Sequence, residues 1–136
     1  MDRINAQKRS ENMSKIKSRD TLLELKVRRH LFSLGYRYRI HYPLQGKPDI
    51  VFPLKKIAIF VNGCFWHLHG CKNSSIPKSN TEFWKSKLES NKTRDNENVQ
   101  SLKKHGWKIL TLWECKLESN YMEELKKTIN LIESIE

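Results

Sequence analysis

Leu23, Val27, Leu31 and Leu34 recur at three- and four-residue intervals, the spacing of one helical face. Thr21-Leu22-Leu23-Glu24 precedes them in the Thr-x-x-Glu form of a capping box, which satisfies the first free N–H groups of a helix. Gly35 is the natural stop. The period then changes from helical to two. Tyr36, Tyr38 and Ile40 alternate with Arg37, Arg39 and His41, which predicts a strand with one buried face. Pro43, Gly46 and Pro48 mark a turn. Asp49-Ile50-Val51-Phe52 starts a second strand that Pro53 ends. Ile57 to Val61 is a third, apolar enough to be central in a sheet. If strands two and three are antiparallel, Asp49 and Val61-Asn62 lie side by side.

Residues 72–80 are polar and read as a loop. Thr81 to His105 is helical in character, with a break expected near Asn91. Phe83, Leu88, Val99 and Leu102 supply its apolar contacts, and Gly106 ends it. Trp107 to Trp113 predicts another buried strand. Asn120-Tyr121-Met122-Glu123 resembles a second capping box, opening a helix that buries Met122, Leu125, Ile129 and Ile132. The order is helix, three strands, helix, strand, helix. It predicts an α/β domain with a central mixed sheet flanked by helices.

Composition narrows the class. The 136 residues are 38% hydrophobic and 30% charged, enough for one modest core. Residues 1–19 hold Arg3, Lys8, Arg9, Lys15, Lys17 and Arg19 with few apolar residues, so we expect a basic arm there and a folded domain over 20–136. The arm has no export-signal character and no run is long enough to span a bilayer, so a cytoplasmic protein is expected. Lys and Arg number 26 against 15 acidic residues, a formal charge of +11. That balance points to a polyanion, nucleic acid before a membrane surface. Nothing in the pattern calls for oligomerisation, and a monomer is expected.

The chemistry gathers in residues 57–71, IAIFVNGCFWHLHGC. Cys64, His69 and Cys71 form C-x4-H-x-C, and Cys115 follows the WKILTLW strand. Should that strand pair beside Ile57 to Val61, three thiolates and one imidazole close a tetrahedral structural zinc site. The plain alternative is buried, unmetallated cysteines with a surface histidine. His67 is left over: it can replace His69 as ligand or act as a general base near neutral pH. A catalytic zinc hydrolase using His67 and His69 is disfavoured, because the available thiolates would close the shell. Glu24 also has two readings, helix cap or active-site acid. Phe65, Trp66 and Trp84 suit either core packing or wedging between bases. Lys85, Lys87, Lys92 and Arg94 fit phosphate contacts or a solvated face.

Several of these segments together resemble one family. R-D-T-x-x-E at 19–24, G-K-P-D at 46–49, F-V-N-G-C-F-W-H-x-H-x-C at 60–71, T-E-F-W at 81–84, R-D at 94–95, G-W at 106–107 and W-E-C at 113–115 look like the very short patch repair (Vsr) DNA mismatch endonucleases. The resemblance implies a restriction-endonuclease-like fold of the PD-(D/E)xK type. It also implies magnesium-dependent nicking of one strand at T:G mismatches left by 5-methylcytosine deamination, and a functional link to a cytosine-5 DNA methyltransferase. By the same resemblance, Asp49 and the Val61 carbonyl would bind magnesium, and Glu24 would hold water beside it. His67 would be the base that activates the attacking water, and Asp95 a further active-site acid. Cys64, His69, Cys71 and Cys115 would bind zinc. Phe65, Trp66 and Trp84 would wedge into the DNA, with Lys85 and Arg94 among the DNA contacts. Asn62 departs from the pattern, standing where one branch of the family carries a second active-site histidine. Asparagine can donate a hydrogen bond there but cannot shuttle a proton near neutral pH. The competing reading is a zinc-stabilised DNA-binding module without catalysis, for which an acid at Asp49 has no use.

Overall fold

A computed structural model describes residues 22–64 and 78–135. Its elements run α1 (Leu22–Ser33), β1 (Ile50–Phe52), β2 (Ile57–Asn62), α2 (Thr81–Lys104), β3 (Lys108–Trp113), α3 (Glu114–Ser119) and α4 (Tyr121–Glu133). The basic arm, Thr21, and the stretch holding Phe65, Trp66, His67, His69 and Cys71 lie outside the described residues.

Among the described residues the sheet has three strands in the order β1-β2-β3. β1 pairs antiparallel with β2, Ile50 opposite Ile59, and β2 pairs parallel with β3, Val61 opposite Leu112 and Asn62 opposite Trp113. The mixed sheet and the central place of Ile57 to Val61 are as the sequence predicts. Ile57, Ile59 and Val61 join one core cluster with Val27 and Leu31 of α1, Leu117 of α3, and Leu125 and Ile132 of α4. Ala58 and Phe60 are also buried, and alternation sends them to the opposite face. Leu88 and Leu102 of α2 are buried outside that cluster, which makes α2 the cover of the second face. Two lysines of the β1–β2 turn brace the helix ends. The Lys55 ammonium donates to Ile132 O at the end of α4, and the Lys56 ammonium to His105 O just past α2. Both cations thus sit at the negative ends of helix dipoles. No helix of the described residues is long and apolar enough to cross a membrane.

α1 stops where expected. Gly35 is left-handed (φ 96°), Tyr36 N–H reaches Leu31 O at 3.0 Å and Gly35 N–H reaches Phe32 O at 3.0 Å, the paired bonds of a Schellman ending. Leu34 falls beyond the last turn and is exposed.

Other expectations are corrected. Residues 36–41 do not make a full strand: they touch the sheet through one antiparallel bridge, Arg39 to Val51. His41 then turns left-handed (φ 53°) and Ile40 is left 43% exposed, so the alternation ends at Tyr38. α2 runs unbroken through Asn91, whose side-chain oxygen accepts from Arg94 and so does not compete with the helical backbone. β3 is a half-buried edge strand in which Leu112 alone is fully buried. At Asn120 no side chain caps α4; its carbonyl accepts from Glu123 N–H and Glu124 N–H. The buried face of α4 is Glu124, Leu125, Thr128 and Ile132, which leaves Met122 70% exposed. Thr128 is tolerated inside because its hydroxyl donates to Glu124 O at 2.9 Å.

Candidate active site

Asp49 stands immediately before β1, where that strand runs alongside the end of β2. Its N–H donates to Ile59 O at 3.0 Å, and its Oδ2 accepts the Val61 N–H at 2.6 Å. Backbone and side chain are thus both tied to β2, and the carboxylate is held beside Val61 and Asn62 as the antiparallel expectation requires. Glu24 reaches the same place from α1. It is 1% exposed, and its carboxyl is a hydrogen-bond partner of Asp49. Thr21 lies outside the described residues, so the capping box is not examined by the structure. The Glu24 carboxylate itself points into the site.

Burial and the hydrogen bond to Glu24 push the Asp49 carboxyl up to about 8, against the opposing pull of the Val61 N–H. Two carboxyl groups pressed together, one buried and one half-buried, cannot both ionise cheaply. They share a proton or they hold a cation. Arg28, one turn after Glu24, already places a positive charge beside them, with Nη2 2.5 Å from Glu24 Oε2. Hard oxygen donors on two rigid elements, with the Val61 carbonyl at the same strand end, are a donor set that fits a small divalent cation such as magnesium.

The zinc expectation meets the structure at two of its four residues. Parallel pairing of β2 with β3 carries Cys64 and Cys115 to the same end of the sheet. Cys64 is buried and Cys115 partly so. The Cys64 N–H donates to Glu114 Oε1 at 3.2 Å, which stitches the two segments together. Thiolate donors at this end fit zinc; His69 and Cys71, the other two, lie outside the described residues. So do His67, Phe65 and Trp66.

Trp84, Lys85, Arg94 and Asp95 all belong to α2. Trp84 packs edge-on against Phe83 with ring centroids 5.3 Å apart, and the Lys87 ammonium lies 5.5 Å from the Trp84 ring. Lys85 and Arg94 border an open groove that Glu82, Glu89 and Glu97 also line, so carboxylates accompany both. Among the described residues, the charged side chains acting on Asp49 are Glu24 and Arg28.

Three site features escaped the sequence reading. Arg28 sat in the helical pattern as one basic residue among many. Glu114 sat between two residues noticed for other reasons. Gln45 fastens the turn before Asp49 to α2: its Nε2 donates to Asn98 Oδ1 at 3.0 Å and its Oε1 accepts from Ser101 Oγ at 2.8 Å. None carries a sequence signal, because each contact joins segments distant in the chain.

The chain is similar to several known proteins. A family model described as DNA mismatch endonuclease Vsr matches residues 1–73. A type II nicking enzyme of Xanthomonas oryzae pv. oryzae, V.XorIIP, is 42% identical over 117 residues, covering 85% of this chain and 86% of its own. Another from Neisseria meningitidis serogroup A, V.NmeAIP, is 44% identical over 119 residues, covering 87% and 85%. The DNA mismatch endonuclease Vsr of Escherichia coli K12 is 39% identical over 110 residues, covering 80% of this chain and 70% of its own. On the family model and these relatives, the chain belongs to the Vsr family of DNA mismatch endonucleases.

Proposed function

We propose that this protein nicks one strand of duplex DNA at T:G mismatches, by magnesium-dependent hydrolysis of a phosphodiester. The observation that carries the reading is the hydrogen-bonded pair of half-buried Asp49 and buried Glu24 at the end of the central strand, Asp49 being tied to the Val61 N–H. A DNA-binding module facing phosphates gains nothing from holding two acids together. Relatives named as nicking enzymes and as a mismatch endonuclease support cutting of one strand and the mismatch as its target.

Asp49, Glu24 and the Val61 carbonyl are the groups that would hold magnesium. Negative charge developing on the cleaved phosphate would be offset by the ion held there. Asp49 is kept in register by its two bonds to β2, so its carboxyl is held at a fixed point. His67, three residues beyond Cys64, accepts the proton of the attacking water through its imidazole. Asn62, at the end of β2, donates a hydrogen bond without moving a proton. Zinc held by Cys64, His69, Cys71 and Cys115 would fix the stretch that carries His67. Phe65, Trp66 and Trp84 wedge into the stack, where a T:G pair yields at less cost than a matched pair. We place the enzyme as a monomer in the cytoplasm, acting where a cytosine-5 methyltransferase creates its lesions.

Strand cleavage on labelled duplexes that differ in one pair, T:G against T:A and C:G, tests this. Cutting of the T strand at T:G alone, and only with magnesium, is the expected result. The Asp49→Ala and His67→Ala proteins should bind the duplex and leave it intact. Equal cutting of matched duplexes would reject mismatch specificity, and undiminished nicking by either variant would reject the assigned roles.

A further inference from the structure

Arg28 is buried, 8% exposed, on the same inner face of α1 as Glu24. Its guanidinium meets Glu24 Oε2 at 2.5 Å. Its backbone carbonyl accepts from the Tyr38 hydroxyl at 2.9 Å, which fastens this turn of α1 to the segment leading on to Asp49. Sealing a guanidinium away from water is costly before pairing. An exposed Glu–Arg pair one turn apart would support the helix without that cost. Helix stability therefore does not account for the placement. The neighbouring acids do: the guanidinium offsets the charge that the hydrogen-bonded carboxyls of Glu24 and Asp49 carry in one place.

We propose that Arg28 is a positioning residue of the divalent-cation site, holding Glu24 beside Asp49 before the cation arrives and lowering the affinity of the acid pair for that cation. The proposal rests on the magnesium reading of the pair. Arginine suits both tasks because its planar fork fixes a carboxylate and its charge cannot be titrated away. The site is then assembled in advance but weakly binding. Phosphates of a bound duplex add the negative charge that Arg28 offsets, so the cation is held firmly only with DNA in place. A nuclease built this way has little occupancy when it is off its substrate.

The test follows thermal unfolding of the full chain, without DNA, against magnesium, calcium and manganese. Arg28→Met and Arg28→Gln remove the charge, Gln keeping a hydrogen-bond donor and folding more readily; Arg28→Lys keeps the charge. We expect both neutral variants to start less stable than the parent and to reach half-maximal stabilisation at cation concentrations about tenfold lower, the effect of removing one nearby charge. Arg28→Lys should keep the parental cation requirement while kcat for nicking falls and KM for DNA holds, since an ammonium cannot fix the carboxylate with the same fork. A merely structural arginine would lower the melting temperature of the neutral variants without shifting the cation concentration, and that result overturns the proposal. If no cation stabilises the parent or either neutral variant, all of them responding as Asp49→Asn does, the magnesium reading is overturned and this inference with it. A parent stabilised by cation with neutral variants that need just as much of it overturns the role of Arg28 alone.

Discussion

Among the described residues Asp49 has the largest shift in its titration. Its carboxyl is raised from 3.8 to about 8, chiefly by burial and then by Glu24. In the metal-free protein the folded state therefore holds a proton that the unfolded chain releases above about 4. Between roughly pH 4 and pH 8 the native state binds more protons than the unfolded one, so this group makes stability fall as pH rises. The sign is opposite to that of an ordinary salt-bridged aspartate. Asp49→Asn supplies a neutral isostere that can accept from the Val61 N–H with its oxygen and donate to Glu24 with its amide. Melting temperatures of parent and variant, in chelator, should match below about pH 4 and separate progressively towards pH 8, with the asparagine protein the more stable. Curves that stay parallel across that range would show that Asp49 is ionised throughout.

Among elements, the turn between the Arg39 bridge and β1 sets where Asp49 stands. Gly46 is left-handed (φ 79°), and a Cβ there would come 3.0 Å from Asn98 Cβ on α2. Gly46→Ala should cost about 1–2 kcal/mol for the backbone alone. It should also push the turn off α2, loosening the Gln45 bonds to Asn98 and Ser101. Urea unfolding measures the first effect and nicking rate the second; an alanine protein as stable and as active as the parent would mean that the turn does not position Asp49. The sequence spoke clearly where local chemistry decides. Gly35 ended α1, the apolar run of β2 was central, and Asp49 met Val61. It misled where tertiary contact decides: Met122 shared a helical period with Leu125 and Ile132, yet the inner face of α4 turned one position aside to take Glu124 and Thr128. The Tyr36 to Ile40 alternation could not foresee the left-handed His41 that ends it. At the site, Asp49 and Glu24 were visible through motif resemblance. Arg28 was not, since a basic residue in a chain with 26 of them stands out only once its burial is known.

At the scale of the whole molecule the question is where the charge of +11 meets DNA. It is not spread evenly, because the outward face of α2 carries Glu82, Glu89 and Glu97. Lys85 and Arg94 are nine residues apart, about half a turn around a helix of 3.6 residues per turn. They stand at opposite edges of that acidic face, and one duplex cannot lie against both. Lys87 and Arg94 share an edge, and Lys87 lies over the Phe83 and Trp84 rings. Basic groups beside stacked aromatics make this edge the better track for a backbone whose bases are being wedged apart. Each phosphate contact releases counterions and steepens the fall of log affinity with log salt by about 0.9. Arg94→Ala and Lys87→Ala should therefore each flatten the salt slope of duplex binding by close to one, while Lys85→Ala leaves it nearly unchanged. Fluorescence anisotropy across a salt series, on cleavage-deficient Asp49→Ala protein, separates the cases. A full unit lost with Lys85 and none with Arg94 would put the duplex on the other edge of α2, away from the aromatic pair.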